Sequence, residues 1–138
     1  MGTRGLNNNN PLNIIKNGDK FAGEVVPSAD KRFKQFKDMP HGYRAGFVIL
    51  GTYLTKHKRN TIDKIIHAWA PPVENDTTGY AGMVERWSGV PKDRVLTLHS
   101  GEDYIRIVAA MSRVENGLPA VMTDVEAGFA LQSKMKAK

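Results

Sequence analysis

Glu115 is the residue of this chain whose type and position most clearly point to chemistry. Stepping back from it at 100° per residue, Met111, Val108 and Tyr104 fall on nearly the same side of a helix, so a carboxyl ends an otherwise apolar stripe. It also falls in the last helical turn, where the backbone dipole is negative. Partial burial and the dipole both disfavour an anion there, and a carboxyl that keeps its proton near neutral pH is what a general acid requires. The competing expectation is a rim carboxylate paired with Arg113 or a lysine. Glu74 is the second-choice acid, in the polar turn Glu74-Asn75-Asp76, where capping of a following helix competes with catalysis. Glu24, in a short extended segment, is expected to be exposed. Glu102, Asp103, Asp124 and Glu126 fit first-turn helix positions.

Other chemistries lack their residues. The 138-residue chain has no cysteine, which removes disulfides, thiolate metal sites and cysteine nucleophiles together. Its four histidines, at 41, 57, 67 and 99, form no HxxxH or HExxH pair. There is no GxSxG, phosphate-binding or dinucleotide-binding glycine pattern. No metal and no cofactor are therefore expected. The net charge of +6 is uneven: residues 1–64 hold 12 Lys/Arg and 5 Asp/Glu, and the remainder 8 and 9. The basic half suits a polyanion such as an anionic cell-wall polymer or nucleic acid, or is simply a solvated surface. Its short lysine and arginine runs are too sparse for a specific nucleic-acid signature. No stretch has the roughly 18 apolar residues of a membrane span, and the N-terminus has no apolar segment of a secretory signal.

The elements that must position Glu115 read as mainly helical, in a single domain over 1–138. Residues 1–20 are expected to be an ordered loop, with Asn7 to Asn10 either a linker or amides that bind a ligand or tie down backbone. Phe21 to Pro27 and Phe33 to Phe36 predict a small β-hairpin. Helices follow from Asp38 and Pro40 to about His57, from Thr61 to Trp69, and from about Thr78 to Ser88. Gly46 and Gly51 in the first of these are positions where another element could approach closely. A helix from Ser100, with Asp103 at capping-box spacing, runs to Glu115 and ends at Gly117. A last one starts at a Thr123–Glu126 box and fades into a basic tail at about 134–138.

Several segments together resemble a family of phage and prophage proteins. These are Arg4-Gly-Leu-Asn-Asn-Asn-Asn-Pro-Leu-Asn-Ile14, His41-Gly-Tyr-Arg-Ala45, Trp69-Ala-Pro-Pro-Val-Glu-Asn-Asp-Thr77 with Tyr80, and Met111-Ser-Arg-Val-Glu-Asn-Gly117. Members are labelled virion structural proteins or lysozyme-like peptidoglycan-degrading proteins. The family commonly has Gly at Leu12, Arg at Asn7 and His at Val114. The resemblance implies a lysozyme-like helical fold. Soluble lytic transglycosylases carry the catalytic glutamate at a helix end, and their Asn- or Gly-rich substrate loop follows it in sequence. Here the order is reversed, so the resemblance implies a circularly permuted groove. The Asn7–Asn13 loop should then lie within about 15 Å of Glu115.

The activity implied is cleavage of the MurNAc-β-1,4-GlcNAc bond of peptidoglycan glycan strands, by a lytic transglycosylase or muramidase using the single acid/base Glu115. Asn9, Asn13 and Asn75 would bind N-acetyl groups, and Tyr43, Trp69 and Tyr80 would stack on sugars or orient Glu115, with core packing the first expectation for Trp69. The protein would reside in the virion or host cytoplasm, meet other virion proteins, and act on the periplasmic cell wall. The alternative is a non-catalytic virion structural or glycan-binding protein of the same fold.

Overall fold

The structure, a computed structural model of the chain, describes residues 3–136. Among these the chain forms six helices and one small sheet: α1 Arg4–Asn7, β1 Glu24–Val25, β2 Gln35–Phe36, α2 Met39–His57, α3 Ile62–Trp69, α4 Thr77–Ser88, α5 Gly101–Asn116 and α6 Met122–Leu131. The architecture is mainly helical, and the hairpin lies where the sequence puts it. Its strands are antiparallel, with Glu24 opposite Phe36 and Val25 opposite Gln35. Ile15 bridges to Phe33, so a third extended segment lies alongside.

Local chemistry sets the helix boundaries. Asp38 caps α2 by accepting from the His41 N–H at 2.9 Å, and Thr61 and Asp76 cap α3 and α4 in the same way. Gly89 and Gly117 end α4 and α5 in the left-handed conformation that a helix C-terminus favours. Two expected capping boxes do not form. The Ser100 hydroxyl accepts from Thr97 N–H instead, and Asp103 pairs with Arg94 and Arg106. Helix α6 starts at Met122, which puts Thr123 inside the helix rather than ahead of it.

Two further expectations are corrected. The N-terminal loop contains a turn of helix, α1, capped by the Thr3 hydroxyl. The C-terminal segment does not fade out. Met135 is buried, Lys136 N–H donates to Leu98 and the Lys136 carbonyl accepts from Gly101 N–H, both at 2.7 Å. Residues 137 and 138 of the expected tail lie outside the described residues.

One core cluster joins the helices. Phe47 and Leu50 from α2, Ile62, Ile65 and Ile66 from α3, Val84 from α4, and Tyr104, Ile107, Val108 and Met111 from α5 are fully buried. Each side chain of this size removes about 1.5–3 kcal/mol worth of apolar surface from water. Phe47 meets Phe129 edge to face at 5.2 Å, fastening α2 to α6. Gly46 lies against Leu12, and a Cβ there would collide with that side chain. Gly51 has no such neighbour, only the end of the Lys134 side chain at 3.5 Å from a built Cβ.

Candidate functional site

The C-terminal end of α5 and the N-terminal asparagine loop meet in one polar cluster. The Asn13 amide donates to Glu115 Oε1 at 2.9 Å, and the Tyr80 hydroxyl, from α4, donates to Oε2 at 2.9 Å. The neighbouring Asn116 amide donates to the carbonyls of Pro11 and Ser112, and its oxygen accepts from Thr3. The Asn7–Asn13 loop therefore lies well within 15 Å of Glu115, in direct contact with it. Tyr104, Val108 and Met111 fill the core below, and Glu115 emerges from that stripe half-buried. Arg113, the alternative partner, instead stacks on the Trp87 ring at 4.2 Å.

The loop is held rigid by its own amides. The fully buried Asn10 side chain donates to the carbonyls of Ile14 and Lys34 and accepts from Ile14 N–H. Asn8 donates to Asp30, which also binds Arg4 through two oxygens. Asn9 and Asn13 adopt left-handed backbone conformations, φ 51° and 54°, which asparagine tolerates better than most residues. Gly5 lies under this turn, where a Cβ would come 2.5 Å from Asn13 Oδ1 and 2.8 Å from the Asn10 carbonyl. Asn13 Oδ1 is itself buried without a hydrogen bond.

Burial, and then the charge and hydrogen bond of Glu115, push the Tyr80 phenol well above its ordinary range, so it stays a donor throughout neutral pH. The result is a carboxyl group oriented by two side chains, a geometry suited to holding one acid/base group in place.

Beside the cluster lies a cleft of about 730 Å³, within the range usual for small-ligand sites. Asn13 belongs both to its wall and to the Glu115 cluster. The hairpin side contributes Asn17, Asp19, Lys20 and Phe21; the helical side contributes Arg44, Tyr53, His57 and Trp69. Glu115 and Tyr80 do not themselves line it.

The eight residues singled out from sequence divide accordingly. Glu115, Asn13 and Tyr80 come together, and Trp69 shares the cleft wall with Asn13 alone among them. Tyr43 does not: it is 1% exposed in the core with its hydroxyl on Ser112, so no sugar can reach its ring. Asn9 also departs, because its amide is spent on the Phe36 carbonyl and it is absent from the cleft wall. Asn75 and Glu74 are exposed in the α3–α4 turn, away from the cleft lining, where the Asn75 amide donates to the Pro71 carbonyl. Asp76 caps α4. Glu24 is not exposed: it forms a buried ion pair with Lys34. Arg44, Tyr53 and His57 were missed, although 44, 48, 49, 52, 53 and 57 repeat at helical spacing along one face of α2. Among the described residues no three His, Asp or Glu side chains converge as a metal set would. No helix among them is long and apolar enough to cross a membrane.

The chain is similar in sequence to a phage protein. No family model matches it. Over 130 residues it is 40% identical to Protein P5 of Pseudoalteromonas phage PM2, the match spanning 91% of this chain and 79% of that protein. The chain belongs to the family of that phage protein.

Proposed function

We propose that this protein is a virion-associated glycosidase of phage, acting on the glycan strands of the periplasmic cell wall through Glu115, in a lysozyme-like groove permuted in sequence order. The observation that carries the reading is the dual place of Asn13, whose amide donates to Glu115 and which also belongs to the cleft wall. A glycan seated against Trp69, Tyr53 and Phe21 would find apolar faces for sugar rings beside amide and cationic groups.

The reaction follows from a single acid. Protonated Glu115 gives its proton to the glycosidic oxygen, and the bond from that oxygen to the muramic C1 breaks toward an oxocarbenium-like state. The carboxylate left behind takes the proton of the muramic 6-hydroxyl as that oxygen bonds to C1. The products are a 1,6-anhydro end and a free 4-hydroxyl, with no water consumed. A hydrolytic course would need a second carboxylate some 5–10 Å away. Glu74 and Asp76 sit in or next to the α3–α4 turn, outside the cleft wall, and neither supports that role.

Zymography on purified peptidoglycan, wild type against Glu115→Gln, tests the proposal. Clearing by the wild type and at least a 100-fold loss in the variant is expected. Equal clearing by both removes Glu115 from the chemistry, and mass spectrometry of the ends distinguishes anhydro from reducing muramic acid. One observation favours a second reading, a virion structural protein that binds glycan without cutting it: both Glu115 oxygens are already engaged by the chain's own donors. Glycan binding with no released product would establish that reading instead.

A further inference from the structure

The cleft holds a cation for which the fold supplies no counterpart. Most arginines here are committed: Arg4 to Asp30, Arg94 and Arg106 to Asp103, Arg32, Arg59 and Arg113 to aromatic rings. Arg86 is unpartnered but exposed to water. Arg44 alone is half-buried, lines the cleft, and makes no hydrogen bond or ion pair with any described residue. Val48, one helical turn on, lines the same cleft and offers no acceptor. With no acceptor among the described residues, the Arg44 guanidinium keeps its full set of donors for a bound group.

The chemistry of that group is constrained. Guanidinium offers a planar fork of donors that fits a carboxylate through both oxygens. Lys20 adds a second cation to the same wall, and Asp19 is the only acid among the described residues that line it, so the lining is net positive. Resting on the reading of the cleft as a glycan site, we infer that Arg44 recognises a carboxylate borne by the glycan. The cleft thereby selects muramyl strands over neutral N-acetylglucosamine polymers. That carboxylate belongs either to the stem peptide or to the lactyl group freed when the peptide is removed.

Binding measured by calorimetry on the Glu115→Gln chain, which cuts nothing, separates recognition from catalysis. Three probes are used: a peptide-bearing muramyl glycan fragment, the same fragment stripped by an amidase, and an N-acetylglucosamine tetramer. At least tenfold tighter binding of one or both carboxylated probes over the tetramer is expected, declining as salt rises. The probe that keeps the advantage identifies the source of the carboxylate. Adding Arg44→Gln should erase the advantage, and Arg44→Lys should restore part of it, with circular dichroism showing both variants folded. An advantage that survives Arg44→Gln, or equal affinity for all three probes, overturns the inference and leaves the glycosidase reading standing. Failure of every glycan to bind overturns both.

Discussion

The buried pair Lys34–Glu24 should dominate the stability of the hairpin wall, and its two halves should not be equivalent. Lys34 Nζ lies 3.0 Å from Glu24 Oε2, with side chains 1% and 9% exposed. The ammonium also donates to the Asp19 carbonyl at 2.8 Å, and Glu24 Oε1 accepts from Phe21 N–H. At this separation and an effective dielectric near 20 the attraction is about 5 kcal/mol, most of which offsets the desolvation of the two charges. Glu24→Ala strips that compensation from the more deeply buried partner and should cost about 3–5 kcal/mol. Lys34→Met leaves a carboxylate that keeps the Phe21 N–H and some access to water, and should cost about 1–2 kcal/mol. The double variant Glu24→Leu/Lys34→Met should return to within about 1 kcal/mol of wild type. Urea unfolding reads this as a midpoint shift of about 2 M for Glu24→Ala at unchanged slope. Equal losses for the two single variants, or a loss below 1 kcal/mol for Glu24→Ala, would refute the reasoning. Because Asp19 and Phe21 line the cleft, weaker glycan binding should accompany the loss of stability.

Three further outcomes are expected. Tyr104 is fully buried with an unpartnered hydroxyl, so Tyr104→Phe should stabilise the fold by about 1 kcal/mol in urea, and destabilisation would reveal an acceptor in solution. Asp30 is held far below the usual carboxylate range by Arg4 and then by the backbone N–H groups of Phe33 and Arg32. A depressed native pKa contributes stability that is present above about pH 4 and is lost as pH falls, so wild type should lose stability between pH 4 and 2 more steeply than Asp30→Asn in pH-dependent melting. Tyr80→Phe removes one donor from Glu115 and should lower kcat about tenfold on peptidoglycan with little change in KM; a KM effect alone would place Tyr80 against substrate instead.

The helices were legible because their signals are local. Asp38, Thr61 and Asp76 cap by contacts within three residues, and Ile62, Ile65 and Ile66 mark a buried face by spacing alone. Glu115 was legible for the same reason, as a carboxyl ending an apolar stripe. The cleft was not, since it joins residues of the hairpin segment to a second face of α2 and to Trp69. The stripe containing Tyr43 and Phe47 marks the core, while the adjacent stripe from Arg44 to His57 faces the cleft, and periodicity does not say which of two neighbouring stripes looks outward. Glu24 misled because a lone acid in a short strand reads as exposed until its partner, ten residues away, is folded onto it.

The clasp between Lys136 and the backbone of Leu98 and Gly101 sets where a tether can leave this molecule. Helix α5 has 16 residues and therefore spans about 24 Å, with the clasp at its first turn and Glu115 at its last. A handle joined at Lys136 would lie a full helix length from Glu115, so on the proposed reading the protein is moored there with the Glu115 end left open to a glycan strand.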